Sequence, residues 1–344
     1  MGSVKDLTVL KTPTKTQSGR GRFIFSDRYS VFDWGEMPDH IDQKGAALCI
    51  TAAYFFEQLE KEGVLTHYLG LVETDETKRL SEINHPVNVL ETKLFRVLKP
   101  ELDEKKGYIY SIYQQEKSNF LIPLEVIYRN SLPRGSSVFK RLEKGQLKLA
   151  DFGLNQIPSS GVRLEKPFLD VSTKLEASDR YLDWQEAQNI SQLSDQKITE
   201  MKFLTQKINN MVTRTVHQVG LENEDGKFEF ALDQDQNLVL VDVFGTPDES
   251  RFTYQGMPVS KEIARLYYRN TQWYQEICQA KEKSASHWKD LMQMNPEPLP
   301  PRLKLLISRV YCAFTNEITG KEWFKEIPRL HETLDEIKKY FINS

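Results

Sequence analysis

The sequence predicts a mixed fold of β-strands and α-helices, of the α+β or α/β class, and three features of the 344-residue chain indicate it. Residues 225–230 alternate charged and aromatic side chains at a period of two, which is typical of a half-buried strand. Five polar residues, 233–237, separate this run from an apolar run at 238–242, so the two runs are predicted to form a hairpin. Apolar residues at helical spacing over 199–219 predict a long amphipathic helix.

The other elements follow in chain order from the same patterns. A short apolar run at 23–25 predicts a strand, and helical spacing after Lys44 predicts a helix that ends before Gly63. The run at 121–128 is β-rich, but Pro123 has no N–H to donate, which predicts an edge strand or a kink. The remaining segments are a mixed, loop-like stretch at 140–170, a helix over 260–279, a proline-rich linker at 294–302 and two C-terminal helices that Gly320 separates.

Composition excludes several classes of function. A net charge of −3 without a long basic run argues against a nucleic-acid polymer as partner. The three cysteines form no CxxC pair and the six histidines form no i,i+4 pair, so neither zinc nor a catalytic triad is predicted. We expect a cytoplasmic protein, because the chain has no apolar run of membrane-spanning length and no secretory apolar segment.

The predicted hairpin concentrates charged residues. Asp225, Lys227 and Glu229 share one face of the first strand, and Asp242 ends the second. Carboxylates on two neighbouring strands are unfavourable to bury, but they suit a site that holds a hard cation and phosphates. The alternative is a surface hairpin with acidic side chains, which is less consistent with an aspartate at the end of an apolar strand.

Arg129 ends the β-rich run, and Ser136 follows a glycine. Arginine offers a planar fork to phosphate or carboxylate, and a Gly-Ser backbone can cradle an anion. The alternatives remain open: an arginine at a strand end is commonly solvated, and an aspartate before glycine, as at Asp225, can simply form a turn.

Five motifs in order resemble one family, that of phosphoribosylaminoimidazole-succinocarboxamide synthase (SAICAR synthetase), a ligase of purine biosynthesis. The similarity covers roughly residues 8 to 325. The motifs are DRYSVFD at 27–33 with QKG at 43–45, LEVIYR at 124–129 with GSS at 135–137, DGKFEF at 225–230, D-x3-TPD-x-SR at 242–251, and PLPP at 298–301 with TGK at 319–321.

The resemblance implies an architecture and a reaction. It implies an N-terminal antiparallel β domain at 1–122 that forms one wall of an ATP cleft, a central ATP-grasp-like α/β catalytic domain at 123–256, and a C-terminal helical region at 257–344. It implies that ATP activates the carboxylate of carboxyaminoimidazole ribonucleotide (CAIR) and that L-aspartate attacks it, giving SAICAR, ADP and phosphate. The implied cofactors are ATP and Mg²⁺, and the implied partners are these small molecules, with no membrane; homo-oligomerisation is left open.

The resemblance also implies roles for individual residues. It gives catalytic roles to Lys227, Asp225 and Arg251, and it makes Glu229 and Asp242 the Mg²⁺ ligands. Substrate contacts are implied for Asp33, Lys44, Arg129, Ser136, Asp248, Ser250 and Arg251. ATP contacts are implied for Lys15, Ile122, Leu124, Lys174, Asp179, Glu229 and Asp242, with the backbone N–H groups of Ile122 and Leu124 facing adenine at a hinge between the first two domains.

Three departures from the family pattern bear on the substrate. Val243 stands where a second acidic residue is common, and Glu249 stands where a small residue precedes Ser250-Arg251. The segment Thr12-Pro13-Thr14-Lys15 replaces the family's usual lysine loop over the ATP phosphates. They leave two alternatives to the purine ligase: a paralogous amide ligase for another carboxylate or amine, and an inactive nucleotide-binding homologue.

Overall fold

The computed structural model describes residues 4–133, 135–259, 261–284 and 287–343. The strands of this part of the chain are β1 (Lys5–Lys11), β2 (Gly19–Phe25), β3 (Tyr68–Glu73), β4 (Glu76–Lys78), β5 (Val89–Leu94), β6 (Glu101–Asp103), β7 (Gly107–Ile109), β8 (Phe120–Leu132), β9 (Val162–Thr173), β10 (Tyr181–Leu182), β11 (Glu222–Leu232), β12 (Leu238–Val241), β13 (Ser250–Tyr254) and β14 (Met257–Pro258). The helices are α1 (Lys44–Lys61), α2 (Ile112–Gln115), α3 (Ser137–Glu143), α4 (Trp184–Ser191), α5 (Asp195–His217), α6 (Glu262–Tyr268), α7 (Gln272–Lys283), α8 (Pro301–Thr319) and α9 (Leu330–Asn343).

Two antiparallel sheets organise the molecule. The N-terminal sheet has the strand order β1-β2-β5-β3-β4, and the central sheet has the order β10-β9-β8-β11-β13-β14, with β12 paired to β11. The β11–β12 pair is the hairpin that the sequence predicts, and Glu229 lies opposite Val241 in its register. Phe228 and Phe230 are buried on one face of β11, so Lys227 and Glu229, which alternate with them, lie on the other face.

Helix α1 joins the two ends of the chain, because it packs against the N-terminal sheet on one side and against α8 on the other. A Cβ atom at Gly45 would lie 2.8 Å from the carbonyl oxygen of Phe25, so only glycine fits where this helix begins beside β2. Farther along, the Thr51 and Thr315 hydroxyls are 2.9 Å apart in the contact with α8. Helix α8 of the C-terminal region therefore packs, through α1, against the N-terminal sheet.

Helix α5 covers the back of the central sheet. Asn209 on this helix accepts hydrogen bonds from Asn130 of β8 at 2.9 Å and from Asn223 of β11 at 3.1 Å. Each of these amides is nearly inaccessible to solvent. Because buried amides need partners, the network fixes how the helix lies on the two strands and leaves the opposite sheet face open.

Of the two expectations for Pro123, the edge strand is wrong, and the irregular register at this point agrees with the kink. Strand β8 is not an edge strand, since it pairs with β9 on one side and with β11 on the other. The register with β11 shifts between Glu229 and Ala231, and the pairing with β9 starts at Leu124. Pro123 lies at this bulge, where the missing N–H interrupts no regular ladder.

Two further segments differ from the expectation. The stretch at 140–170 contains most of α3 and much of β9, so it is not simply loop-like. The helix expected over 260–279 is two helices, α6 and α7, and Ser260, its expected start, lies outside the described residues. The domain limits at 122 and 256 stay a prediction. No helix in the described part of the chain has the length and apolar character needed to span a bilayer.

Candidate functional site

Carboxylates and lysines meet on the open face of the central sheet. Glu125 of β8 lies opposite Glu229 of β11, so both side chains leave the same face. The Lys174 ammonium, just after β9, lies 2.6 Å from a Glu229 oxygen and 3.0 Å from a Glu125 oxygen. Lys227 Nζ lies 2.8 Å from the same Glu125 oxygen. The resulting group is the lysine–carboxylate cluster: Lys5, Glu125, Lys174, Lys227, Glu229 and Asp242.

Asp242 joins this cluster from the end of β12. Its φ of 59° lies in the left-handed region, which aspartate adopts more readily than most residues. The carboxylate accepts a hydrogen bond from the Val243 N–H at 2.8 Å and forms an ion pair with Lys5 of β1. The turn thus brings a strand of the N-terminal sheet into contact with the central sheet.

The two acidic groups of the hairpin differ in protonation behaviour. Burial and the negative charge of Asp242 raise the pKa of Glu229, although Lys174 opposes the shift. Burial would also raise the pKa of Asp242, but the adjacent Lys5 ammonium outweighs it, so this pKa is lowered. In the hairpin register Glu229 lies opposite Val241, the residue before Asp242, so the two acidic residues stand at the same end of the strand pair.

A second group, the arginine–aspartate cluster, contains Arg129, Arg141, Asp170, Asp225 and Arg251. Arg251 forms a bidentate ion pair with Asp225, in which Nε lies 2.7 Å from Oδ1 and Nη2 lies 2.7 Å from Oδ2. Arg129 Nη1 lies 3.4 Å from the same Oδ2. Arg129 is nearly fully buried and also contacts Asp170 at 3.1 Å. The register explains the arrangement, because Asp225 of β11 lies opposite Arg129 of β8 and Arg251 of β13.

Both predicted serines are buried beside this cluster. Ser136 Oγ lies 3.5 Å from Arg129 Nη1 and caps α3 by accepting from the Val138 N–H. Ser250 Oγ lies 3.3 Å from the Tyr128 hydroxyl. Tyr128 also donates to Asn223, so the Ser250 hydroxyl lies on the α5 side of the sheet, whereas Ser136 lies with Arg129 on the open side. The roles of both serines stay predictions.

A cavity of about 560 Å³ is lined by residues of both clusters. The lysine–carboxylate cluster contributes Glu125 and Lys227, and the arginine–aspartate cluster contributes Arg129, Asp225 and Arg251. Asp179, Asp248, Glu249 and Ser250 also line it. Lys261, Arg265 and Arg269 of the C-terminal region line it as well, so the lining carries both basic and acidic side chains.

The structure places two predicted substrate residues in ion pairs. The Lys44 ammonium is fully buried, 2.7 Å from Asp248, and Asp248 accepts a hydrogen bond of 2.6 Å from the Tyr311 hydroxyl. Burial opposes ionisation of Asp248, but Lys44 and Lys261 outweigh it and lower its pKa. Asp33 is mostly exposed and lies 3.0 Å from Lys281 of α7.

The residues predicted to contact ATP do not all lie in one cluster. Lys15 is largely exposed and lies 3.1 Å from Glu116, apart from the lysine–carboxylate cluster that contains Lys174. Ile122 and Leu124 lie in the first half of β8 with buried side chains, so any contact with adenine would involve their backbone. None of these positions excludes a role, and the roles stay predictions.

Sequence reasoning missed several members of the two clusters. Glu125 stands in a recognised motif two residues from Ile127 and four from Arg129, and strand alternation would have placed it on the face of Arg129. Asp170 and Arg141 lie in the stretch read as loop-like. Lys5 precedes every motif and carries no local signal, because its partner is 237 positions away.

The donor set suits Mg²⁺ with help from the nucleotide. Within the described residues, no group of three or more His, Cys, Asp or Glu side chains is placed to hold a metal ion by itself. Mg²⁺ is typically held by one or two carboxylates together with substrate phosphates and water. Glu229 and Asp242 fit that pattern. Each carboxylate forms an ion pair with a lysine, Glu229 with Lys174 and Asp242 with Lys5, so positive charge at this position is favourable.

Comparison with known proteins decides the family. The model of the SAICAR synthetase family matches residues 8–281. The chain belongs to the SAICAR synthetase family. It is 51% identical to a proposed phosphoribosylaminoimidazole-succinocarboxamide synthase of Archaeoglobus fulgidus, over 98% of this chain and 99% of that protein. It is 32% identical to the phosphoribosylaminoimidazole-succinocarboxamide synthase of Thermoplasma acidophilum, over 88% of this chain and 93% of that protein.

Solved structures of SAICAR synthetases share the fold. The SAICAR-synthase of Saccharomyces cerevisiae, complexed with SAICAR, aligns with a TM-score of 0.65 at 19% identity, over 94% of each chain. A SAICAR synthetase in complex with ADP aligns with a TM-score of 0.58 at 19% identity, over 93% of this chain and 97% of the other. The predicted family and fold class are confirmed. The chain is an ATP-dependent ligase of purine biosynthesis, and the comparisons do not favour a paralogous or inactive homologue.

Proposed function

We propose that the chain joins L-aspartate to the carboxylate of CAIR, using ATP and Mg²⁺, and releases SAICAR, ADP and phosphate. The observation that carries this proposal is a cavity lined by Glu125 and Lys227 of the lysine–carboxylate cluster and by Arg129, Asp225 and Arg251 of the arginine–aspartate cluster. Further support comes from relatives that are named for this synthase and from neighbours that hold SAICAR or ADP.

Electrostatics explains why such a reaction needs this cavity. CAIR, aspartate and ATP are all anions, and they must approach within bonding distance in a site that excludes water. Without fixed positive charge their repulsion would dominate. Lys227, Arg129 and Arg251 line the cavity and supply that charge, and Lys174 shares the Glu125 carboxylate with Lys227.

Phosphoryl transfer belongs to the lysine–carboxylate side. A carboxylate oxygen of CAIR is a poor leaving group and must first be phosphorylated. Glu229 and Asp242 would hold Mg²⁺, which neutralises charge on the transferred phosphoryl group. Lys174 and Lys227, which contact Glu125 from the same face, are placed to stabilise the phosphate and acyl oxygens.

Nucleotide recognition belongs to the arginine–aspartate side. Arg251 is held by Asp225 at 2.7 Å, but its side chain remains 32% exposed and lines the cavity. Arg129 contacts the same aspartate and is buried, as is Ser136, which lies 3.5 Å from it. We assign the phosphate and acidic groups of CAIR to this side, and Asp225 orients both guanidinium groups toward it.

The test is substrate-dependent release of ADP. With Mg²⁺, ATP and CAIR present, we expect L-aspartate to trigger ADP release and a product with the mass of SAICAR. Omitting CAIR or Mg²⁺ should abolish it, and L-glutamate, L-asparagine and glycine should support far less. Equal or greater turnover with another amino acid, or with another carboxylate in place of CAIR, would contradict the proposal.

We also propose that the reaction takes place in the cytoplasm. The cysteines Cys49, Cys278 and Cys312 are unpaired, which supports a reducing compartment.

A further inference from the structure

A second cavity, of about 850 Å³, adjoins the cavity that we assign to the substrates. Arg251, Glu262 and Arg269 line both, so the two cavities meet at these side chains. The volume of the second cavity lies within the range of protein cavities that bind small molecules. The proposed reaction takes place in the first cavity and leaves the second without a role.

Strand β11 contains a bulge at Glu224, which lines the second cavity. Two steps along β11, from Asn223 to Asp225, match a single step along β13, so the Glu224 between them has no counterpart on β13. A bulge redirects a side chain out of the regular alternation of a strand, and bulges are frequent beside functional sites. Glu224 therefore stands outside the alternation that places Lys227 and Glu229 on the open face of the sheet.

Glu224 forms no hydrogen bond or ion pair within the part of the chain that the structure describes. The other charged side chains of the described lining are paired: Arg163 with Glu222, Arg251 with Asp225, and Arg269 with Glu262. A carboxylate that is partly withdrawn from water and has no partner is unfavourable, and burial raises the pKa of Glu224 to about 7. When Glu224 is ionised, the described lining carries one negative charge that no side chain balances.

The rest of the lining combines a second polar group with an apolar surface. Ser131 is buried, and among the described residues its hydroxyl has no hydrogen-bond partner. The apolar part of the lining consists of Pro133, Phe252, Met257, Pro258 and Leu266. These features suit a ligand with a single positive charge and a short hydrocarbon body, because the charge would balance Glu224 and the body would cover the apolar surface.

We propose that the second cavity binds a small organic cation, a primary amine on a short hydrocarbon chain, through its ammonium group and Glu224, and that this cation strengthens the binding of CAIR in the first cavity. Glu224 immediately precedes Asp225, which holds Arg251, so its negative charge opposes the binding of an anion by that arginine. An ammonium group beside Glu224 cancels this opposition. The effect on CAIR rests on the proposed function, whereas the cation site stands without it.

The probe for the cation site is n-butylamine, titrated into the unliganded protein and followed by saturation-transfer NMR at about pH 8.5, where Glu224 is ionised. We expect saturable binding by about 20 mM. Glu224→Gln should raise the dissociation constant about 10-fold or more, because a charge-assisted hydrogen bond is lost. n-Butanol and butyrate keep the hydrocarbon chain without the positive charge, and they should bind about 10-fold more weakly than n-butylamine.

Glu222→Gln is the matched control on the same strand. The Glu222 carboxylate lines the same cavity but already pairs with Arg163, so this variant should bind n-butylamine within about 3-fold of the wild type. Thermal unfolding shows that each variant is folded. The cation site would be overturned by a wild type without saturable binding, by equal binding in Glu224→Gln, or by an equal loss in Glu222→Gln, which would indicate a general attraction of cations to an acidic surface.

The effect on CAIR is measured by titration calorimetry without ATP, so that no amide can form. Saturating n-butylamine should lower the dissociation constant of CAIR about 5-fold in the wild type, and saturating CAIR should lower that of n-butylamine by the same factor. Glu224→Gln should bind CAIR about as tightly as the amine-saturated wild type and should not respond to the amine. An unchanged dissociation constant in the wild type, or an equal response in Glu224→Gln, would overturn this effect.

Failure of the proposed function has a different signature. A wild-type protein that binds n-butylamine but neither binds nor converts CAIR would contradict the proposed function and leave the cation site intact. A wild-type protein that converts CAIR but binds no n-butylamine would contradict the cation site alone.

Discussion

Arg251 is the residue that most directly tests substrate recognition. It follows the Asp242 turn by nine positions, lines the cavity and is held by Asp225. Replacing Arg251 with Ala should remove a charge-assisted contact that contributes about 1.5–3 kcal/mol. We therefore expect kcat/KM for CAIR to fall about 10- to 100-fold while the KM for ATP changes much less.

The control is Arg309→Ala, because the Arg309 side chain has the same 32% exposure but pairs with Glu336 on the C-terminal helices. Steady-state kinetics with each substrate varied in turn distinguish the two variants. Unchanged CAIR kinetics in Arg251→Ala would argue against the assignment of the CAIR phosphate to this side of the cavity.

Glu229 and Asp242 test the metal assignment. Replacing either with Ala removes one of the two carboxylates that we assign to Mg²⁺, so turnover should be lost at every practical Mg²⁺ concentration. The fold should persist, because each variant leaves the hairpin register intact. Asp235→Ala, in the exposed loop of the same hairpin, is the control. Far-UV circular dichroism and an Mg²⁺ titration of activity provide the measurements, and full activity in both variants would exclude the assignment.

At the scale of elements, the turn between β12 and β13 is held by a buried ion pair. Lys44 at the start of α1 contacts Asp248, and Tyr311 of α8 donates to the same carboxylate. Lys44→Met removes the ammonium group that contacts the buried Asp248 carboxylate, so the free energy of unfolding should fall by about 3–5 kcal/mol. The measurement is urea unfolding.

A double variant separates the unpaired charge from lost packing. Lys44→Met combined with Asp248→Leu should recover most of the lost stability, since a buried pair is commonly replaceable by apolar residues. Arg214→Met, which removes an exposed pair with Glu62, should change the free energy of unfolding by less than about 1 kcal/mol. A Lys44→Met protein as stable as the wild type would mean that this pair does not hold the turn.

The elements that the sequence predicted are those whose pattern is local. The β11–β12 hairpin follows from alternation and a polar loop, and both charged clusters begin on its residues. Strand β9 was not predicted, because Pro167 and several charged residues interrupt the apolar alternation that marks a strand. Its pairing with β8, which is a tertiary contact, stabilises it as a strand. The places of Lys5 and Asp170 in the two clusters were not predicted, because their ion-pair partners are distant in sequence and local sequence patterns carry no information about such contacts.

The whole molecule should carry a pH dependence of stability from Glu224. This residue lines a second cavity of about 850 Å³ beside the first. Burial, with the nearby Asp225 charge, raises its pKa from 4.5 to about 7. Between these values the folded state binds more protons than the unfolded state, so this contribution is complete below pH 4.5 and is lost as the pH rises through 7.

Glu224→Gln should remove that dependence. At pH 8 the variant should be more stable than the wild type by on the order of 1 kcal/mol, a value reduced for solvent screening, whereas at pH 5 the advantage should largely disappear. Thermal unfolding across this range provides the measurement, with Glu222→Gln at the exposed neighbouring position as the control. A constant difference at every pH would show that ionisation of Glu224 is not responsible.

The packing of α1 between the N-terminal sheet and α8 has a consequence for synthesis on the ribosome. Helix α1 starts at residue 44, but the helix that covers its second face starts at residue 301. At 5–20 residues per second, the apolar surface of α1 and the Lys44 ammonium wait roughly 15 to 50 s for their partners. A nascent chain of this protein therefore presents a hydrophobic helix for most of its translation, and it completes the turn between β12 and β13 only after α8 leaves the exit tunnel.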